Sequence, residues 1–114
     1  MQYLLLIYDN EQRCAKLSEA EQEADLRAYG AFGEEFAKKI LGGNALQPTG
    51  TAKTVRVRDG KRLTTDGPFA ETKEQLGGYY LVEAATEEEA LAIGAKIPWA
   101  RFGSIEVRPI MTFS

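Results

Sequence analysis

Apolar positions come in alternating pairs from the first residues of the chain. Tyr3, Leu5 and Ile7 fall on one side of an extended segment, and Leu4, Leu6 and Tyr8 fall on the other. The run Met1 to Tyr8 therefore predicts a strand with both faces to cover. In so short a chain, a second copy is the economical source of the second layer. Ser18 and Glu21 have the spacing of a capping box, in which hydroxyl and carboxylate satisfy otherwise unpaired N–H groups, so a helix is expected from near Glu19. Leu26, Tyr29, Phe32, Phe36 and Ile40 then recur at three- and four-residue spacing, while Glu34/Lys38 and Glu35/Lys39 pair on the outer side. This stripe predicts a helix ending at Gly42-Gly43. Gly30 and Gly33 inside it each cost about 1 kcal/mol against alanine, which suggests either close approach of the sheet or of a partner there or glycines that are simply tolerated.

Beyond Pro48, Val55 and Val57 alternate with Thr54, Arg56 and Arg58, and Asp59-Gly60 turns the chain into Lys61 to Asp66, the pattern of a hairpin. A two-residue loop would set Val57 opposite Arg62. A three-residue loop with Gly60 left-handed sets Val55 opposite Leu63, gathers Val55, Val57 and Leu63 on a core face, and is the preferred register. A polar connection from Gly67 to Gly77 leads into a strand in which Tyr79, Leu81 and Glu83 alternate with Tyr80, Val82 and Ala84. Thr86 and Glu89 repeat the capping-box spacing, Ala90, Ile93 and Ile97 trace a helix stripe, and Pro98 stops it. A last strand is expected from Ser104 to about Met111. The order strand, helix, hairpin, strand, helix, strand reads as an α+β, ferredoxin-like antiparallel sheet with helices on one face. Two such sheets face to face would close a dimeric α/β barrel.

Composition narrows the function classes. With 114 residues, 44% hydrophobic and 27% charged, the chain fits one domain over 1–114 with an ordinary globular balance. The net charge of −3 disfavours nonspecific nucleic-acid binding. Histidine is absent, which removes the side chain most used for catalysis near neutral pH and the commonest ligand for zinc, copper or nickel. No cofactor or metal is expected. The lone Cys14 cannot form an internal disulfide, and the apolar run at the N-terminus is too short to span a bilayer, so a cytoplasmic protein without membrane contact is expected.

The run Asp66-Gly67-Pro68-Phe69-Ala70-Glu71-Thr72-Lys73-Glu74-Gln75-Leu76-Gly77-Gly78-Tyr79, preceded by Val55-Arg56-Val57-Arg58-Asp59-Gly60, resembles the signature of the DGPF-motif branch of the YCII-related family. The first strand and the ending Gly103 to Ile110 are similar to the family's ends, so the resemblance covers essentially the whole chain. It implies a dimeric α+β barrel and no settled activity. Some relatives are thought to use a histidine and an aspartate in a pocket, a pair this chain cannot supply. The association of the DGPF branch with alternative sigma factors implies a regulatory setting and a partner linked to them.

Several residues are candidates for chemistry. Asp66 could act as a general base if a barrel interior desolvated it, or could accept backbone N–H groups in the turn before Gly67-Pro68. Glu71, Thr72 and Lys73, with Phe69, could line a pocket mouth or belong to a solvated loop. Arg56, Arg58 and Arg62, with Lys53 and Lys61, offer planar forks and charge for a small anion, or a solvated hairpin that discourages edge pairing. Tyr8 and Tyr79 could donate protons inside a barrel or serve as packing. Glu106 and Arg108 share a face and suggest an ion pair. Cys14 in a loop, without a base nearby in sequence, makes a poor nucleophile. Together these residues suggest a homodimer that binds a small anionic or aromatic molecule. The alternatives are a cofactor-independent lyase or isomerase, with Asp66 or Glu71 as base and Arg56 or Lys73 stabilising the anion, and a protein-interaction module.

Overall fold

The computed structural model describes residues 1–113. Strand β1 (Gln2–Asp9) is followed by a short helix α1 (Glu11–Ala15), the long helix α2 (Glu19–Glu35) and strand β2 (Ile40–Ala45). The hairpin β3 (Lys53–Arg58) and β4 (Lys61–Asp66) precedes β5 (Gln75–Glu83), α3 (Glu87–Ala95) and β6 (Ser104–Pro109). The main sheet has the order β2-β5-β1-β6 with every pair antiparallel, the ferredoxin-like arrangement. The hairpin forms a second, two-stranded sheet of its own.

Alternation in β1 divides the main sheet into two faces. Tyr3, Leu5 and Ile7 are buried, opposite Val82, Tyr80 and Gly78 of β5 and Pro109, Val107 and Ile105 of β6. They join Phe32 of α2 and Ala90 and Ile93 of α3 in one core. Leu4, Leu6, Tyr8, Tyr79 and Leu81 lie on the opposite face, only partly buried. The helices thus cover one side of the sheet, as the pattern of paired apolar positions predicted.

The capping box of α2 forms as expected, with Ser18 Oγ accepting from Glu21 N–H at 3.1 Å and Glu21 Oε1 accepting from Ser18 N–H at 3.0 Å. Its end does not follow the sequence pattern. The helix stops at Glu35, and Ile40 to Ala45 form an edge strand on β5. Of the two glycines read as a helix stop, Gly43 serves strand contact, since a Cβ there would lie 2.7 Å from the Tyr79 carbonyl oxygen. Leu26, assigned to the buried stripe, is 74% exposed, and a Cβ on Gly30 or Gly33 would meet no other element within 4 Å among the described residues. At Thr86 half of the second capping box is present. Thr86 Oγ1 accepts from Glu89 N–H, while the Glu89 carboxylate turns to Lys39 Nζ at 2.9 Å.

The hairpin register also differs from expectation. Val57 faces Arg62 and Arg56 faces Leu63 across a two-residue loop in which Asp59 and Gly60 both have positive φ, 52° and 73°. An Asp-Gly pair suits that mirror-image turn, whose twist matches the strands. The preferred three-residue register assumed a core face, but Val55, Val57 and Leu63 are all about half exposed or more. With no buried face on the hairpin, hydrophobic grouping could not set register and turn chemistry did. The hairpin stands off the body: the radius of gyration is 16.2 Å, against roughly 13 Å for a compact chain of this length.

Candidate functional site

Most residues singled out in the sequence lie on or beside the projecting hairpin. Asp66 forms an ion pair with Lys53 across the two strands, and its side chain is 87% exposed. No backbone N–H among the described residues bonds to its carboxylate, so the turn-acceptor reading differs from what is found, and within the single chain the carboxylate stands in solvent. Phe69 is 81% exposed, and Glu71, Lys73 and Arg56 also stand in solvent. Thr72 turns its hydroxyl onto the Glu74 carbonyl and receives Gln75 Nε2 on its own carbonyl, a local turn. Within one chain these groups do not converge on a pocket.

Tyr8 and Tyr79 lie on the partly open face of the sheet. Tyr8 donates to Glu106 Oε1 at 3.2 Å, and burial, followed by the Glu106 charge, pushes its phenol pKa up. Glu106 therefore serves Tyr8, and among the described residues it makes no ion pair with Arg108. Tyr79 Oη accepts from Asn44 Nδ2 at 2.9 Å, which ties the edge strand to β5.

A cavity of about 620 Å³ opens elsewhere, between α1, α2 and the β2–β5 end of the sheet. Its walls come from Cys14 of α1, Leu17, Asp25, Leu26 and Tyr29 on or before α2, Tyr80 of β5, and Trp99 in the 3₁₀ turn after α3. Gly43, Gly77 and Gly78 leave backbone on its sheet side. The size suits a single-ring ligand with room for solvent.

The position of Trp99 is fixed by three contacts. Its indole N–H donates to Asp25 Oδ2 at 2.9 Å, its ring meets Tyr29 edge-on with centroids 6.1 Å apart, and the Arg13 guanidinium lies 5.7 Å from its centroid. Arg13 is itself held by Asp9, the buried acid at the end of β1, whose Oδ1 also accepts from Asn10 N–H at 2.7 Å. Burial drives the Tyr29 phenol far above its ordinary pKa, with Tyr80 adding to it, so at neutral pH it is a protonated donor. Burial likewise raises Tyr80, and burial followed by Asp9 raises the Cys14 thiol, which keeps that sulfur protonated. Cys14 lies in α1 rather than in a loop. Among the described residues no cluster of three His, Cys, Asp or Glu side chains is placed to hold a metal.

The YCII-related domain family matches residues 1–114. The chain belongs to the YCII-related family. An uncharacterized protein of Rhizobium meliloti is 38% identical over 117 residues, covering 99% of this chain and 94% of that one. Among solved structures, this YCII-related protein is similar to 5-chloro-2-hydroxyhydroquinone dehydrochlorinase (TftG) from Burkholderia phenoliruptrix AC1100, in complex with 2,5-dihydroxybenzoquinone. The TM-score is 0.53 at 15% identity, covering 97% of this chain and 94% of the other, a likeness of fold.

Asp25 and Trp99 were not among the sequence candidates, Tyr29 was read as part of the apolar stripe of a helix, and Tyr80 as a strand position. One signal was available: Trp99, the sole tryptophan, follows the helix-stopping Pro98 directly. Nothing in the spacing tied it to Asp25, 74 residues earlier.

Proposed function

We propose that this YCII-related protein binds a small aromatic molecule in the cavity between α1, α2 and the sheet. The observation that carries the reading is the apolar hollow walled by Tyr29, Tyr80 and Trp99, with the Asp25 carboxylate at its side. Rings and a few fixed polar groups are the usual lining of a site for a flat, hydroxylated ligand. The indole N–H of the one tryptophan gives a unique signal in a proton–nitrogen NMR spectrum. Titration with hydroquinone should move that signal saturably, and an unmoved signal at saturating ligand would refute the reading. A regulatory setting of the kind the DGPF resemblance implies would use such a ligand as its signal.

Lyase chemistry is the second reading, favoured by a carboxylate beside the cavity and by the activity named for the structural neighbour. Asp66 and Glu71 stand in solvent, and the chain itself provides neither with the desolvation that would make it a base. Asp25 is the better placed carboxylate. Chloride release from a chlorinated hydroxyhydroquinone, abolished by Asp25→Asn, would support this reading; no release would dismiss it for that substrate class. We further propose that a second copy covers the open sheet face of Leu4, Leu6, Tyr79 and Leu81. A monomer by light scattering at micromolar concentration would contradict that pairing.

A further inference from the structure

The charges around the cavity are one-sided. Asp25 is the one formally charged side chain on its walls among the described residues. A neighbouring cation, Arg13, has its Nε and one terminal nitrogen turned to the two carboxylate oxygens of Asp9 and its face against Trp99 and Phe102. The basic residues that suggested an anionic ligand, Arg56, Arg58, Arg62, Lys53 and Lys61, are all on the exposed hairpin. A carboxylate or phosphate entering the cavity would lose water and face the like charge of Asp25 on its wall.

Asp25 is also oriented. Trp99 occupies Oδ2, and Oδ1 has no partner among the described residues. A carboxylate oxygen with spare lone pairs beside an apolar wall is an acceptor for a ligand O–H or N–H, and a charge-assisted bond of that kind is about twice as strong as a neutral one. Tyr29, kept protonated by burial, adds a neutral donor to the same wall.

Building on the cavity reading above, we infer that the site selects uncharged aromatic ligands whose hydroxyl or N–H donates to Asp25 Oδ1, and that it discriminates against aromatic carboxylates and phosphates. Shape alone would admit both. Charge separates them.

The test compares hydroquinone with 4-hydroxybenzoate, which replaces one hydroxyl by a carboxylate, through the Trp99 indole signal of wild type and of Asp25→Asn. Asparagine keeps an oxygen for the indole N–H but removes the charge. Wild type should bind hydroquinone at least tenfold more tightly than 4-hydroxybenzoate, and Asp25→Asn should narrow that gap from both sides. Equal or tighter binding of 4-hydroxybenzoate by wild type would overturn the inference while leaving the cavity reading standing. An unchanged ratio in a folded Asp25→Asn protein would overturn the role of Asp25. If neither compound bound wild type, the cavity reading would fail and the inference with it. Should Asp25→Asn not fold, the wild-type ratio alone decides.

Discussion

The Trp99 indole donates to Asp25 Oδ2 at 2.9 Å, joining the turn before the last strand to the middle of α2 across 74 residues of sequence. This bond closes the cavity wall and holds Asp25, the one charged side chain lining it among the described residues. Trp99→Phe keeps an aromatic ring against Tyr29 but removes the donor. A hydrogen bond to a charged group contributes about 1.5–3 kcal/mol, and partial exposure of Asp25 places the expected loss at about 1.5 kcal/mol. Urea unfolding followed by circular dichroism measures it, and an unchanged midpoint would show that the bond does not lock the wall.

Asp9 is almost fully buried and Arg13 is its cationic partner. Removing one member of such a pair leaves an uncompensated charge, so Arg13→Ala should destabilise by about 3 kcal/mol. Adding Asp9→Asn should recover part of that loss, because the amide carries no charge to desolvate. A double mutant as unstable as the single would contradict this account.

The glycines divide into two kinds. A Cβ at Gly103 would fall 1.9 Å from the Tyr8 carbonyl oxygen, whereas Gly30 in the middle of α2 meets nothing within 4 Å. Gly103→Ala should therefore cost several kcal/mol, on the order of a severe backbone clash. Gly30→Ala should stabilise by up to about 1 kcal/mol through helix propensity. Thermal melts of both variants test the contrast, and destabilisation by Gly30→Ala would reveal a partner packed against that helix face.

Acid should weaken the fold through two glutamates. The Ser18 backbone N–H and hydroxyl lower the pKa of Glu21, and Lys39 lowers that of Glu89, both from an ordinary 4.5. Because the folded values are depressed, the unfolded chain takes up protons first as pH falls. The stabilisation is complete above the ordinary value and is lost as pH drops through the folded values. Thermal midpoints measured across that window should fall less steeply for Glu21→Gln and Glu89→Gln. An unaltered acid limb in both would show that these carboxylates are not the responsive groups.

Much of the architecture was legible because burial and periodicity agree in the central strands. The paired apolar positions of β1 lie in the middle of a sheet with helices on one side, and Ser18/Glu21 starts α2 where its spacing said. Legibility failed where tertiary contact overrode local pattern. Ile40 continued a helical stripe but pairs with Val82, and Gly42-Gly43 resembled a helix stop while Gly43 allows the strand to approach β5. The hairpin register followed the Asp-Gly turn because its apolar residues have no core to face. Chemistry was harder to read, since the cavity wall is assembled from Cys14, Asp25, Tyr80 and Trp99, residues with no shared motif. The DGPF segment drew attention by its signature, yet Asp66 is an exposed ion-pair partner, and Asp66→Asn should change stability by less than about 1 kcal/mol.

The most direct test of the cavity as a binding site is the response of the Trp99 indole N–H to hydroquinone, in wild type and in Gly77→Leu. Gly77 lines the hollow, and a Cβ there would stand 3.7 Å from Trp99 Cζ3, so a larger side chain would extend into the space without a backbone clash. Saturable movement of the signal in wild type, lost in a folded Gly77→Leu protein, is the predicted result. Equal movement in both proteins, or none in wild type, would contradict it.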